Sequence, residues 1–509
     1  MPRSLLIFLV SPCRISLRWI PWVLCLIGFT ASIVLFYPGD YGYDTLTQCT
    51  QSETGLYGDW HPPVMAAMWK LFRNGYCAVT GETVRGNGMM YSFHTLLVWA
   101  GILGVLVSAK SFWKRDENSQ PSRLSVLVIV FLLSWMLFSD LLYRSRDISK
   151  DLGMMGAYLL ATGFLFHWPT AVWKRILRSC LILLLLFYGT ALRHNAVFAL
   201  IPMLCWLSWH IVPKKHTIPI LMSGMVLWIV MLGTIQWFNY RLLNTVPLYP
   251  LQERFYTDIL QLNYRTNHFI APPNTFGNDF SSLDESQFRQ KFQPDIVFIQ
   301  NAFKDVNAEL PYFIWFTQNQ TVILSHEEFI QHQNDSFFID DFLGSEKVRM
   351  RIFDESAIRT TFPGDYQVLR HAWINRIMRD PVVYIKWKTM VFIKYCQKTS
   401  MSFWGLSIST ILMLTVCLAA VCTFSQKRYD ASVCPSLMLG WSAILYILPL
   451  WIVIPDDREM RYVYYFLAAS LIAMVFFCSN SQLMRSLLQL VTSSWETKLR
   501  DIVDQSTKR

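Results

Sequence analysis

Residues 37–72 read YPGDYGYDTLTQCTQSETGLYGDWHPPVMAAMWKLF and follow an apolar run at 19–36. They open the first outer loop, 37–88, which we predict to lie on the membrane face opposite the N-terminus. Its titratable side chains include Asp40, Asp44, Asp59 and His61. Carboxylates beside lipid are costly unless they face a water-filled cavity, pair with cations or serve a function. We therefore expect the rest of the chain to position this loop.

The composition indicates a polytopic membrane protein. The chain has 509 residues, of which 53% are hydrophobic and only 16% are charged, which lies outside the range of soluble domains. Its formal net charge of +10 could indicate nucleic-acid binding. The Lys and Arg residues lie instead in short blocks between apolar runs, where they set membrane orientation. We therefore expect no nucleic-acid partner.

The hydropathy pattern predicts an all-α transmembrane fold with about ten membrane-spanning helices. Each apolar run is long enough to cross a hydrocarbon core of roughly 30 Å. The runs lie at 19–36, 89–109, 124–141, 152–172, 179–193, 195–212, 218–238, 403–424, 434–454 and 461–479. Residues 1–18 contain only a short apolar run and no cleavage signal, which favours a cytoplasmic interfacial segment over a signal peptide.

Basic residues give the orientation. If the first helix runs outward, all four basic blocks fall on the cytoplasmic side, as the positive-inside rule requires. These blocks are Lys110 with Lys114 and Arg115, Lys174 with Arg175 and Arg178, Lys214 with Lys215, and Lys427 with Arg428. Both termini, including the tail 480–509, are then cytoplasmic. Residues 193–195 form a tight outer turn in this interpretation.

One long polar insertion separates the N-terminal module, 19–238, from the C-terminal helices, 403–479. It covers 239–402, and we predict a soluble extracytoplasmic subdomain because so long a loop is rarely structureless. Apolar periodicity predicts helices within it at 293–306 and 371–392, the second amphipathic and leading into the eighth span.

Asp40 and Asp44 are the candidate catalytic acids. Their spacing would place both on one helix face, although Gly39 and Gly42 make a turn equally plausible. In a structural interpretation Asp44 caps a helix N-terminus and Asp40 is solvated. In a functional interpretation one of them is the general base that deprotonates an acceptor hydroxyl.

Asp59 and His61 precede an interfacial helix, 62–73. Two prolines at 62 and 63 suit its start, and basic residues flank its apolar positions. Those apolar positions are Val64, Met68, Leu71 and Phe72. His61 is interpreted either as a structural cap or, with Asp59, as a substrate ligand.

Three further charged clusters are predicted on the outer face. The second outer loop holds Arg144, Arg146, Asp147, Lys150 and Asp151; the third holds Arg193, His194 and Asn195; the fourth holds Asp456, Asp457, Arg458 and Arg461. Arg offers forked donors that suit phosphate oxygens. The structural alternative for the second loop is internal salt bridges, either Arg146 with Asp147 or Lys150 with Asp151. Cys49 and Cys77 both fall in the first outer loop, where a disulfide is possible.

Together these residues resemble the GT-C class of membrane glycosyltransferases, which use polyprenyl-phosphate sugars and include bacterial enzymes that modify O-antigen and other surface glycans. The parallels are the acidic first outer loop with Asp40 and Asp44, the interfacial helix 62–73, the charged second outer loop 144–151, the Arg461-Tyr462 pair opening a span, and the segment WINRIMRDPVVYIKWKTMVF before the final spans.

The resemblance implies a GT-C-like fold in a bacterial inner membrane, with the active site on the outer face. A lipid-linked sugar donor would transfer its sugar, with inversion, to an extracytoplasmic glycan or another hydroxyl acceptor. Asp40 or Asp44 would be the base, and the phosphate would be held by Arg144, Arg146, Lys150, Arg193 or Arg461. The other implied substrate-binding residues are Asp59, His61, Asp147, His194, Arg458 and Tyr462.

The chain departs from the class in one respect, because members carry an adjacent acidic pair whereas three residues separate Asp40 from Asp44. Dependence on a divalent metal therefore stays open, since Arg and Lys can neutralise a phosphate leaving group without one.

Three other function classes are weighed. A transporter or flippase requires ionisable residues near the bilayer midplane and matched broken helices, and few charges interrupt these spans. A surface-polysaccharide polymerase or ligase shares the lipid-linked donor and transfers a whole glycan. A scaffold or receptor predicts that Asp40 and Asp44 are dispensable.

Overall fold

The computed structural model describes part of the chain. It covers residues 19–81, 86–113, 146–166, 168–212, 216–247, 249–251, 313–316, 321–324, 363–398, 408–424, 434–453 and 464–480, with the single residues Phe255, Asp258, Leu262 and Thr266. The predicted span 124–141 and the predicted helix 293–306 lie outside the described residues.

The described chain is mostly helical. The helices are α1 Ile20–Phe36, α2 Tyr43–Thr54, α3 Val64–Thr80, α4 Asn87–Trp113, α5 Lys150–Phe166, α6 Val172–Leu192, α7 Ala196–Ile211, α8 Thr217–Trp237, α9 Pro363–Arg379, α10 Pro381–Lys398, α11 Ile408–Phe424, α12 Cys434–Ile447, α13 Leu450–Val453 and α14 Tyr464–Asn480. A π-helix, Phe238–Leu242, extends α8. Two short antiparallel strands, β1 Phe313–Phe316 and β2 Thr321–Leu324, pair with Phe313 opposite Leu324.

Within the described ranges, four helices are long and apolar enough to cross a membrane, which indicates a membrane protein. They are Asn87–Ser108, Val172–Leu192, Thr217–Leu242 and Cys434–Ile452. Shorter apolar helices at Pro21–Phe36, Ala196–Ile211, Ile408–Thr423 and Tyr464–Met474 coincide with four more of the predicted spans. The total of about ten spans stays a prediction.

The predicted boundary between the fourth and fifth spans is wrong. α5 ends at Phe166 and α6 begins at Val172, so the basic block predicted as a connector forms the first two turns of α6. Hydropathy misplaced the boundary because charged residues lower the local average even where the backbone continues as a helix. The tight turn predicted at 193–195 is confirmed, since α6 ends at Leu192 and α7 starts at Ala196.

The chain divides into two compact units. Unit 1 comprises Met1–Thr245, Cys396–Leu450 and Glu459–Arg509, and unit 2 comprises Val246–Tyr395 and Trp451–Arg458.

Small residues let α4 and α5 approach each other closely in unit 1. A Cβ added at Gly163 would lie 2.8 Å from the Cα of Gly104, and one added at Gly156 would lie 2.7 Å from the backbone nitrogen of Val98. Small residues at helix contacts are the usual way that membrane helices gain packing without a hydrophobic driving force. This close crossing fixes where α5, and hence its first residue Lys150, lies.

Polar contacts join the C-terminal helices of unit 1 to its N-terminal module. The Ser442 hydroxyl of α12 donates a hydrogen bond of 2.7 Å to the carbonyl of Ala199 in α7. Tyr465 of α14 packs edge-on against Tyr158 of α5, with ring centroids 4.9 Å apart. Residues far apart in sequence therefore form one helical core.

The predicted amphipathic helix 371–392 is two helices, α9 and α10, in unit 2. Pro381 cannot donate to the preceding turn and disfavours a helical residue before it, so α9 ends at Arg379 and a new helix starts at Pro381.

A buried ion pair lies at the centre of unit 2. Lys388 of α10 is 2.8 Å from a carboxylate oxygen of Asp258, and both side chains are buried. The indole of Trp373 and the hydroxyl of Tyr384 also donate to Asp258, each at 3.0 Å. Lys388 donates further to the carbonyl of Ile452 at 2.9 Å. Burial, together with the neighbouring Asp258 carboxylate, raises the pKa of Tyr384, so this hydroxyl stays a protonated donor.

We predict that Lys388→Met lowers the free energy of unfolding by about 3 to 5 kcal/mol, because it leaves the Asp258 carboxylate buried without its cation. Thermal unfolding of the purified protein measures the effect. The double variant Asp258→Asn with Lys388→Met should unfold at a higher temperature than Lys388→Met alone. An additive loss in the double variant would contradict the assignment.

Candidate functional site

The backbones of the first and second outer loops are hydrogen-bonded to each other. Asp40 pairs with Asp147 in a short parallel bridge, in which the Asp40 amide donates to the Arg146 carbonyl at 2.8 Å. The Ile148 amide donates to the Asp40 carbonyl at 3.0 Å, and the Thr45 hydroxyl donates to the Ile148 carbonyl at 2.6 Å. These bonds bring two segments about a hundred residues apart to one place in unit 1.

Asp40 lies at the exposed side of this junction. Its side chain is 68% exposed and stands 3.8 Å from Arg146, which also lies 3.4 Å from Asp147. The pairing of Arg146 with Asp147 is one of the two salt bridges that the structural interpretation predicted. Exposed pairs of this kind contribute little to stability.

Asp44 lies at the buried side. Its carboxylate is 3.0 Å from the Lys150 ammonium, and its side chain is 21% exposed. Lys150 also donates to Nδ1 of His61 at 2.7 Å, while Nε2 of His61 stands 3.6 Å from the second Asp44 oxygen. Because Lys150 donates to Nδ1, His61 is neutral with its proton on Nε2, which faces Asp44. The three side chains Asp44, His61 and Lys150 form one cluster, here called the Asp44 cluster.

The environment of Lys150 lowers the pKa of its ammonium group. The side chain is buried at the first residue of α5. Burial and the nearby Arg193 guanidinium lower the pKa of Lys150 to about 8, although Asp44 and Asp151 act in the opposite direction. A perturbed titratable group beside other ionisable side chains is typical of functional sites.

Arg193 and Asp151 form a second buried pair next to the Asp44 cluster. Nε of Arg193 donates to one Asp151 oxygen at 2.5 Å, and a terminal nitrogen donates to the other oxygen. This forked arrangement is the strongest geometry between Arg and a carboxylate. The Lys150–Asp151 salt bridge, which was the second option of the structural alternative, is not formed, because the two side chains contact different partners.

Tyr240 is a residue that the sequence interpretation missed. It lies in the π-helix, and its hydroxyl donates to the carboxylate of the buried Asp59 at 2.7 Å. π-helical turns are rare and frequently occur at functional sites. The exposed His194 lies beside the Asp59 backbone, near the charges of Lys150 and Arg193. The only sequence signal for Tyr240 is its position just after an apolar span. That signal is weak, because aromatic residues are common at such positions.

The structure decides three points that the sequence left open for the first outer loop. Gly42, not Asp44, precedes the helix, and Asp44 lies in its first turn, where its charge suits the helix dipole. Since α2 begins at Tyr43, Asp40 and Asp44 share no helix face. Cys49 and Cys77 are both thiols, and the predicted disulfide is not formed. Buried Cys49 lies on α2 with its sulfur 3.9 Å from Glu53, whereas Cys77 lies in the last turns of α3.

The predicted interfacial helix is longer than expected. α3 runs from Val64 to Thr80, and its buried residues are Val64, Met65, Ala66 and Trp69. Leu71, which was placed on the apolar face, is 64% exposed.

Of the remaining candidates, Arg144, Arg458, Arg461 and Tyr462 lie outside the described residues. In the part of the chain that the structure describes, no group of three His, Cys, Asp or Glu side chains is arranged to hold a metal ion. The Lys150 ammonium contacts both Asp44 and His61, so a protein cation already lies where a metal ion would bind these two side chains. The donor set therefore does not suit a divalent metal.

Comparisons of the chain with protein-family models, curated proteins and solved structures find no match. The chemistry of the site is therefore argued from the geometry of its own residues.

We predict that Tyr240→Phe lowers the free energy of unfolding by about 1 kcal/mol, because the buried Asp59 carboxylate loses a hydrogen-bond donor. Thermal unfolding in detergent measures this. Tyr37→Phe is the matched control, since that ring is 60% exposed and should leave the unfolding temperature unchanged. Equal stability of the Tyr240 variant and the wild type would refute the contribution of this hydrogen bond.

Proposed function

We propose that this protein is a membrane glycosyltransferase of GT-C type, which moves a sugar from a polyprenyl-phosphate carrier to a hydroxyl acceptor on an extracytoplasmic glycan. The observation that carries the proposal is the convergence of the first, second and third outer loops on paired acids and bases at the ends of apolar helices. The Asp44 cluster and the Arg193–Asp151 pair are the centre of this convergence.

Asp44 is the proposed general base. Its carboxylate accepts the proton of the acceptor hydroxyl while the acceptor oxygen bonds to the anomeric carbon of the sugar. The bond from that carbon to the phosphate oxygen breaks, and its electron pair leaves with the lipid phosphate. Two features favour Asp44 over Asp40: its carboxylate is oriented by the Lys150 ammonium at 3.0 Å, and its partial burial excludes most bulk water. Asp40 is largely solvated and is held by its backbone.

Cations near the base would neutralise the leaving phosphate. Lys150 is the nearest described cation, and its ammonium also orients His61. Arg193 is committed on two of its nitrogens to Asp151, so its proposed contribution is the positive field at the site more than a direct grip on phosphate. We assign direct phosphate binding to Arg144, Arg146 and Arg461. Tyr462, Asp59, His61, Asp147 and His194 are the proposed ligands of sugar or acceptor.

We predict that Asp44→Asn lowers sugar transfer by about 10²-fold or more, because the isosteric amide cannot accept the acceptor proton. Purified protein is given radiolabelled polyprenyl-phosphate hexose and a glycan acceptor, and initial rates are measured. Asp40→Asn, a matched removal of one charge, should retain activity within a few-fold of the wild type. Equal rates in Asp44→Asn and the wild type would remove Asp44 from the mechanism.

The pH dependence tests Lys150. Wild-type transfer should decline as pH rises through about 8, because Lys150 then loses the charge that orients Asp44 and neutralises phosphate. Lys150→Arg keeps its charge throughout this range, so the alkaline decline should move upward by at least one pH unit. Rates are normalised to each variant's own maximum, which separates the pH limb from a general loss of activity. An identical alkaline limb in both proteins would contradict this role.

A polymerase or ligase would use the same base and donor chemistry. The size of the transferred glycan in the product distinguishes it from a transferase of single sugars.

A further inference from the structure

The segment 152–252 contains no Asp or Glu. Its basic residues are Lys174, Arg175, Arg178, Arg193, Lys214, Lys215 and Arg241. Arg193 and Arg241 belong to the outer loops and the π-helix. The other five lie in or beside the connections that join α5 to α6 and α7 to α8. One end of this group of helices therefore carries cations for which the segment supplies no carboxylate.

Ring contacts show that these two connections are neighbours. Trp168, in the connection before α6, stacks on His210 at the end of α7, with centroids 4.5 Å apart and planes 9° apart. Trp209 packs edge-on against the same imidazole at 4.7 Å. Aromatic rings of this kind are typical of the level of lipid headgroups.

The cations on α6 are held by neutral groups. Nε of Arg175 donates to the carbonyl of Pro169 at 2.9 Å. Lys174 lies 5.3 Å from the centroid of the Trp173 ring, and Arg178 lies 5.8 Å from that of Phe164. Among the residues that the structure describes, none of the three cations forms an ion pair.

The surface around these cations is apolar and exposed. Four apolar side chains at the start of α6 are each more than half exposed: Val172, Trp173, Ile176 and Leu177. Leu184, further along α6, is also more than half exposed. α6 spans 21 residues, or about 31 Å, close to the thickness of a hydrocarbon core. If α6 crosses the bilayer, its first two turns lie at one edge of the hydrocarbon core, from which long basic side chains extend to headgroup phosphate.

We infer that Lys174, Arg175 and Arg178, with Trp168 and Trp173, form a binding surface for the headgroups of anionic phospholipids at the start of α6. Charge complementarity selects this occupant: the surface combines fixed cations that lack carboxylates with apolar side chains that face acyl chains. An anionic lipid supplies both the phosphate and the hydrocarbon, which free phosphate does not. The inference is independent of the proposed transfer reaction.

The test compares lipid retention in nanodiscs of phosphatidylcholine with and without phosphatidylglycerol. Native mass spectrometry counts phosphatidylglycerol bound to the full-length protein, and thermal unfolding reports the stabilisation that binding causes. We expect the wild type to retain phosphatidylglycerol and to unfold at a higher temperature when it is present. Inorganic phosphate alone should cause no shift.

The variant Lys174→Gln, Arg175→Gln, Arg178→Gln should lose about 10²-fold in affinity for phosphatidylglycerol, because each basic residue near an anionic surface contributes about fivefold. Its matched control is Arg370→Gln, Arg379→Gln, Lys386→Gln, which removes three charges from exposed positions of unit 2. The control should retain lipid as the wild type does.

A charge-conserving variant, Lys174→Arg, Arg175→Lys, Arg178→Lys, separates charge from local folding. It should bind phosphatidylglycerol nearly as well as the wild type. Undiminished binding by the triple Gln variant would overturn the inference. Equal loss in the unit 2 control, or a stabilisation that inorganic phosphate reproduces, would overturn it as well.

Discussion

The contact of Lys150 with Asp44 and His61 is the constraint on which the site depends. An ammonium group at the first residue of α5 is buried, and burying a charge without partners costs several kcal/mol. The carboxylate and the imidazole that satisfy it come from the first outer loop, about ninety to a hundred residues earlier. The loop must therefore fold against the start of α5, and the close packing of α4 on α5 determines where that start lies.

The second buried pair follows from the first. Two cations near each other repel, and the Arg193 guanidinium is one reason that the pKa of Lys150 falls to about 8. Each cation takes its own carboxylate: Asp44 for Lys150 and Asp151 for Arg193. The arrangement leaves this part of unit 1 close to neutral. It also places the Lys150 ammonium, whose pKa is lowered, beside the Asp44 carboxylate. That combination is useful for proton transfer and unnecessary for a structural connector.

The two ends of the helices α5 to α8 differ in the same physical respect. At one end Arg146, Lys150 and Arg193 each lie beside a carboxylate, and the polar groups form networks. At the other end the segment has cations and no acids, and the rings and carbonyls around them are neutral. Matched charges are stable in a confined site, whereas unmatched charges are stable only beside water or an anion. The distribution of acids along the chain thus distinguishes the proposed catalytic site from the proposed lipid-binding surface.

Local sequence patterns determined the helical class, the long apolar helices, the tight turn at 193–195 and the concentration of charge in the outer loops. These features depend on hydropathy and on residues within a few positions of one another. The wrong predictions concern details that neighbouring residues override: α6 starts earlier than its hydropathy suggests, and Pro381 divides one predicted helix. The tertiary structure alone decided that Asp44 pairs with Lys150, that Asp151 pairs with Arg193 and that Tyr240 reaches Asp59. Charges select partners by distance in space, and no periodicity encodes the distance between side chains that lie 42 to 181 residues apart.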